Sequence, residues 1–200
     1  MKVSILIPVY NQEELIIRAL DSIPNSDDIE IIVCDDGSED GTFEAVTSYM
    51  TYHEEKNIVL LYNEENKGVA YAVNRLYDVA TGEYVVLLGS DDYFYTEELE
   101  KAIEELDGTD IVYFNLKVNN GYVFELNEST KQQYCGSTKF IRREFLGDIR
   151  NPEIRAREDY YFYQELLKKK PSEKFTDLTI KHYNFPRQGS LTDLAIKGQI

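Results

Sequence analysis

The chain has 200 residues, 42% hydrophobic and 29% charged, which is the make-up of a folded globular protein and excludes disorder and collagen-like repeats. Its 37 acidic and 21 basic residues leave a net charge of −16, so most of the surface repels nucleic-acid backbones and anionic lipid heads. Two cysteines make no disulfide framework, and no run approaches the roughly 20 apolar residues of a membrane span. The first residues are too short in apolar length for a signal peptide. The expectation is a cytoplasmic protein, at most peripheral at the inner face of a membrane, with no nucleic-acid partner. The basic run Lys168–Lys170 reads as a solvated helix end.

Val3–Val9 is a short apolar run, predicted as a buried strand. Asn11 with Glu14 three residues on fits a capping box, and Leu15, Ile16, Ala19, Leu20 and Ile23 follow at helical spacing until Pro24. Ile29–Cys34 is a second strand, ending at Asp35-Asp36-Gly37-Ser38. Phe43, Val46 and Met50 mark a second helix. Ile58–Tyr62 is a third strand, and Asn66-Lys67-Gly68 opens a third helix carrying Val69, Ala72, Val73 and Leu76. Tyr84–Leu88 is a fourth strand, ending at Gly89-Ser90-Asp91-Asp92. Leu99, Ile103 and Leu106 mark a fourth helix. Strand then helix, four times over, predicts an α/β fold with a mostly parallel sheet flanked by helices. In such sheets ligands bind beyond the carboxyl ends of the strands, where every polar segment just named falls.

After Gly108 the pattern changes. Ile111–Val118 and Tyr122–Leu126 flank Asn119-Asn120-Gly121, a hairpin signal. Ser137 is placed to cap a helix through Phe140, Ile141 and Phe145. Glu158–Lys170 reads as a helix with Tyr161, Phe162, Leu166 and Leu167 inward, Phe175–Phe185 as a last strand, and the tail as irregular. The break is read as a change of role within one domain.

Four groups of residues suggest chemistry, each with a plain structural alternative. Asp91 and Asp92 at a strand end need neutralising, and a hard divalent cation bridging to phosphate would do it. The alternative is a helix start capped by Asp92 or Thr96. Asp35 and Asp36 could accept from a base N–H, or simply make a turn. Asn66-Lys67-Gly68 sets a cation and flexible backbone at a helix N-terminus, where anions are stabilised. Glu158-Asp159 is either a general base at a helix entrance or a pair of acids favoured by the helix dipole. His53 and His182 show no metal-ligand spacing and read as structural. No dinucleotide or P-loop glycine spacing is present.

Taken in order, Val3-Ser-Ile-Leu-Ile-Pro-Val-Tyr-Asn11, Val33-Cys-Asp-Asp-Gly-Ser-Glu-Asp-Gly-Thr42, Asn66-Lys-Gly-Val-Ala-Tyr-Ala-Val-Asn74, Tyr84-Val-Val-Leu-Leu-Gly-Ser-Asp-Asp92 and Arg157-Glu-Asp-Tyr-Tyr-Phe162 resemble the family 2 glycosyltransferases of GT-A fold. The resemblance implies a nucleotide-sugar-binding half over residues 1–107 and an acceptor-side half and tail over 108–200. It implies that Pro8, Val9, Tyr10 and Asn11 line the nucleotide pocket, with Tyr10 stacking on the base. Asp36, with Asp35, would accept from the base edge, and Lys67 and Gly68 would lie near the base or diphosphate. Ser90 and Asp91 would belong to the donor site, Asp91 holding Mn²⁺ or Mg²⁺, and Asp159 would be the catalytic base. The implied reaction is inverting transfer of a sugar from a nucleotide-diphosphate donor, UDP-linked by default, to a hydroxyl of a saccharide, lipid-linked or protein acceptor in surface or capsular saccharide synthesis.

Three departures stand out. Gly89 replaces the first Asp of the family's D-x-D motif, leaving Asp92 or a water to compensate. Val73 replaces an arginine of the third motif. Arg187 stands where many relatives carry histidine, and could restore the lost positive charge. Gly89 and Val73 support the rival reading of a degenerate protein that binds a nucleotide sugar without turning it over. A nucleotidyltransferase and a plain interaction protein are the remaining rivals. The acceptor face is expected around Tyr134–Gly136 and Tyr160–Tyr163.

Overall fold

Strands β1 (Val3–Val9), β2 (Ile29–Asp35) and β4 (Tyr84–Leu87) are apolar almost throughout because both of their faces are covered. Ile5 and Ile7, with Ile31 and Val33, pack into one layer against helices α1 (Ile16–Asp21), α2 (Thr42–Tyr52) and α4 (Thr96–Glu104). Leu6, Ile32, Cys34 and Val85 point the other way. They meet helices α3 (Val69–Val79), α5 (Arg143–Leu146) and α6 (Glu158–Lys168). The chain is described here by a computed structural model, which covers residues 3–132, 136–154 and 156–185.

The remaining strands are β3 (Ile58–Tyr62), β5 (Tyr93–Phe94), β6 (Ile111–Val118), β7 (Val123–Phe124), β8 (Lys139–Arg142) and β9 (Glu173–Tyr183). One sheet runs in the order β3-β2-β1-β4-β8-β6-β9-β5, with β7 paired to β6. The first four strands of that order are parallel. The ordered register sets Val9 opposite Asp35 and Asp35 opposite Tyr62, so the carboxyl ends of β1, β2 and β3 lie side by side. Leu88 donates its N–H to Leu6 O at 2.9 Å, which brings the end of β4 to the same edge.

Several expectations need correction. The segment after Ser137 is not one helix: Lys139–Arg142 is a strand set antiparallel between β4 and β6, and only Arg143–Leu146, with Phe145, is helical. Phe140 and Ile141 pack into opposite layers, as adjacent strand residues must. The strand closes a gap that would otherwise leave the backbone groups of two inner strands unpaired. The capping box at Asn11 does not form. Asn11 has φ of 50°, helix α1 starts only at Ile16, and Leu15 at its N-cap makes no side-chain cap bond. Neither Asp92 nor Thr96 caps α4, since Tyr95 is its N-cap and the Thr96 hydroxyl donates to Ser22 O. Tyr161 is 49% exposed rather than inward. Tyr163 is fully buried, its hydroxyl 2.8 Å from that of Tyr113, so it belongs to the core and not to an acceptor face. His182 stacks on Tyr93 with centroids 4.5 Å apart, a structural role as read from the sequence. Tyr134, Arg187 and the tail from 186 on lie outside the described residues.

Candidate functional site

At the end of β1, Val9 is buried, Pro8 half-buried and Tyr10 40% exposed at the mouth of the β1–β2 edge. Asn11 turns the chain with its positive φ and uses its side chain to bind the neighbouring loop. Its Oδ1 accepts from Glu39 N at 2.8 Å, and its own N–H donates to Ser38 Oγ at 2.9 Å. Thr42 and Asp40 accept from the backbone of Gln12 and Glu13, and Glu13 accepts from Gly41 N. The loops after β1 and β2 are therefore one laced unit.

The two acids after β2 have separate tasks. Asp36 Oδ1 accepts from Asn63 Nδ2 at 2.6 Å and Lys67 N at 3.1 Å, and Oδ2 from Gly68 N at 2.7 Å. It clamps the Asn66–Gly68 segment to the end of β2. Arg75 completes the clamp by donating to Tyr62 O and Asn63 Oδ1. Gly68 has φ of 94°, a left-handed conformation that a side chain would strain. Gly37 has φ of 72°, and a Cβ there would lie 2.5 Å from the backbone of Glu65, so the two loops touch main chain to main chain. Lys67 directs its ammonium over the Tyr71 ring, 5.0 Å from the centroid. Asp35 is fully buried; Oδ1 accepts from Ser38 N, whereas Oδ2 has no hydrogen-bond partner among the described residues. A buried carboxylate oxygen without a donor is costly in water's absence and suits a ligand N–H.

The acids after β4 divide in a parallel way. Asp92 is 2% exposed. Its Oδ2 lies 3.2 Å from Lys181 Nζ and its Oδ1 accepts from Asn184 N at 2.9 Å. Burial pushes its pKa up, and the Lys181 ammonium opposes that push. Lys181 is itself 1% exposed and also donates to Ser137 Oγ. Asp92 is thus paired with a protein cation. Asp91 is half-buried, and its backbone oxygen accepts from Arg18. Ser90 beside it is buried. A Cβ at Gly89 would lie 2.9 Å from Asp92 Oδ2 and 3.2 Å from Asp91 Oδ1, so both carboxylates converge on the glycine. Val73 is a core residue of α3. Among the described residues no group of three or more His, Cys, Asp or Glu is arranged to hold a metal ion.

Asp159 stands in the first turn of α6, after Arg157 turns the chain with φ of 67°. Its Oδ2 lies 3.4 Å from the place a Gly136 Cβ would occupy. The next residue, Ser137, takes the bond from Lys181, which pairs with Asp92. Asp159 and Leu87, at the end of β4, line one small cavity. The helix-entrance acid is therefore joined to the acid pair of β4 by a short chain of contacts. Burial raises the pKa of Glu158, with the Asp159 charge adding to it. Lys181, Asn63 and Arg75 were not singled out by the sequence.

A sequence model of glycosyl transferase family 2 matches residues 4–175. The chain is 29% identical over 197 residues to the Escherichia coli UDP-Glc:alpha-D-GlcNAc-diphosphoundecaprenol beta-1,3-glucosyltransferase WfaP, covering 90% of this chain and 76% of that protein. It is 31% identical over 184 residues to the putative teichuronic acid biosynthesis glycosyltransferase TuaG of Bacillus subtilis (strain 168), covering 84% and 72%. The crystal structure of S. aureus TarS 1-349 in complex with UDP-GlcNAc matches with a TM-score of 0.83 at 26% identity, over 95% of this chain and 60% of that one. The mannosyltransferase PcManGT from Pyrobaculum calidifontis, in complex with GDP-Man and Mn²⁺, shares the fold with a TM-score of 0.75 at 21% identity, over 94% and 58%. The chain thus spans about three-fifths of each of these two crystallised chains. Among the described residues no helix is long and apolar enough to cross a membrane. The sheet is that of the GT-A glycosyltransferases, and with a match over residues 4–175 the chain belongs to glycosyl transferase family 2.

Proposed function

We propose that this protein transfers a sugar with inversion from a UDP-linked donor to an acceptor hydroxyl in the synthesis of a cell-surface saccharide. The observation that carries the reading is the chain of contacts from Asp159 through Gly136 and Ser137 to Lys181 and the acid pair after β4. It brings a carboxylate suited to proton abstraction beside the strand ends that suit a nucleotide. Tyr10 would stack on the base, and the unpartnered Asp35 Oδ2 would accept from a base N–H. Asp36 supports the donor indirectly, by fixing Lys67 and Gly68 where a diphosphate would lie.

In the transfer, Asp159 takes the proton of the acceptor hydroxyl as its oxygen bonds to the anomeric carbon. The bond from that carbon to the diphosphate breaks, and UDP leaves with the electron pair. One displacement gives inversion. Asp91 would contribute one carboxylate oxygen ligand to a divalent cation, Mn²⁺ or Mg²⁺, since hard cations of this kind take oxygen donors. Such a cation would neutralise charge developing on the leaving diphosphate. Lys67 would share that task, and Arg187 would add a further positive charge.

The test is Asp159→Asn, assayed for transfer and for UDP binding by calorimetry. Transfer should fall by about 10²–10⁴-fold with UDP affinity retained; a fully active variant removes the base assignment. Gly89, with Asp92 bound to Lys181, favours a second reading, a non-catalytic nucleotide-sugar binder. That reading requires the wild-type chain to bind UDP-sugar and release no sugar.

A further inference from the structure

The turn after β4 is anchored from two directions. Asp92 N donates to Gly89 O at 2.9 Å and closes the turn, while Lys181 and Asn184 N hold the Asp92 carboxylate. The other anchor is helix α1. Arg18 Nη2 donates to Asp91 O at 2.5 Å. One turn further along α1, Ser22 Oγ accepts from Phe94 N at 3.0 Å, and Ser22 O accepts from the Thr96 hydroxyl at 3.0 Å. The Arg18 guanidinium lies over the Tyr93 ring, 5.1 Å from its centroid. That ring is itself held in place. It stacks on His182, whose imidazole lies 3.2 Å from the Tyr95 hydroxyl and 2.8 Å from Asn119 Oδ1. The plain reading of Arg18 is a cation in the last turn of α1, where the helix dipole favours one. A helix-end charge needs only water around it. Arg18 instead sets its flat group on a ring and points an N–H at a carbonyl, an arrangement that suits a planar guanidinium rather than a point charge.

We infer that Arg18 is a positioning residue of the donor site, fixing the turn that carries Ser90 and Asp91. The inference rests on the reading of Asp91 as a residue of that site. A bond to Asp91 O sets the plane of the peptide between Asp91 and Asp92, and with it the direction in which the Asp91 side chain leaves the backbone. Asp92, on the far side of that peptide, is held from β9 by Lys181, so α1 and β9 grip the turn together. Helix α1 also follows the loop of Tyr10 and Asn11, which is laced to the loop after β2. One short helix therefore joins the ring that would stack on the base to the turn that would face the diphosphate. The bond from Arg18 carries that spacing to Asp91.

Arg18→Met keeps the apolar stem and removes the guanidinium. Titration calorimetry of the full chain with UDP and Mn²⁺ should show affinity reduced by about three- to tenfold, the size of one hydrogen bond's net contribution. Affinity for uridine, which carries no phosphate, and the melting temperature of the free protein should both keep their wild-type values. Wild-type UDP affinity in Arg18→Met overturns the inference. So does an equal loss for UDP and uridine, or a lowered melting temperature, since either marks Arg18 as a support of α1 alone. Asp91→Ala, titrated in the same way, keeps the two readings apart. If Asp91→Ala weakens UDP binding and Arg18→Met does not, the inference fails while Asp91 stands in the donor site. If Asp91→Ala binds UDP as the wild type does, the donor-site reading of Asp91 fails, and the inference falls with it.

Discussion

The acid pair after β2 and the acid pair after β4 look alike in sequence and are neutralised by different means. In each, one member, Asp36 or Asp92, is held at both carboxylate oxygens by protein groups. Asp36 is held by neutral donors, the Asn63 amide and the N–H groups of Lys67 and Gly68. Asp92 is held by a full positive charge, Lys181, and both ions are nearly inaccessible to water. Asp36 is as buried as Asp92, at 3% against 2% exposure, so the two differ in the kind of partner and not in burial. Removing a cation from a buried pair leaves an unpaired ion whose desolvation costs several kcal/mol. The second pair is therefore the more brittle.

Removing that counter-charge is the largest expected effect. Lys181→Met leaves Asp92 buried without a cation and should destabilise the fold by about 3–5 kcal/mol, read as a lower denaturant midpoint. Lys181→Met combined with Asp92→Leu should recover most of the loss, since a buried ion pair replaced by apolar groups is often neutral. Additive losses in the double variant would show that the two residues do not act as a pair.

Much of this comparison was out of reach from the residues alone. The strand and helix order of residues 3–106 was legible because continuous apolar runs and helical spacing are local signals. Lys139–Arg142 was misread because Phe140, Ile141 and Phe145 also fit a helical period, and only the gap between β4 and β6 makes the segment a strand. The acids at the strand ends were legible as a set, but not which acid of each pair is held. That depends on Asn63, Lys181 and Asn184, which lie 27, 89 and 92 residues from their partners. Glu158-Asp159 was singled out by its motif, and the fold sets Asp159 beside Gly136 and in one cavity with Ser137.

The same contrast can be sharpened at the first pair. Asp36→Asn sets an amide N–H₂ against donors that need an acceptor, and should cost about 1–3 kcal/mol of stability. Asp35→Asn should leave stability within about 1 kcal/mol and weaken UDP binding, because one of its oxygens has no protein donor to lose. Equal effects of the two substitutions on stability would erase the division of labour.

A third buried acid gives the smallest effect and tests whether neutral donors alone can hold a charge deep in the sheet. Glu30, 4% exposed on β2, accepts from the Ser4 hydroxyl, from Thr81 N and Oγ1, and from Gly82 N. Burial raises its pKa, yet the bonds from Ser4, Thr81 and Gly82 outweigh burial and hold it below its ordinary 4.5. A depressed folded pKa adds stability that is present above the unfolded value and lost as pH falls through the folded one. The urea midpoint should therefore drop between neutral pH and the region below 4.5 by more in the wild type than in Glu30→Gln, which carries no charge to titrate. Parallel pH profiles for the two proteins would mean that Glu30 is already neutral in the fold, and that a counter-cation of the Lys181 kind is required wherever this sheet buries an ionised acid.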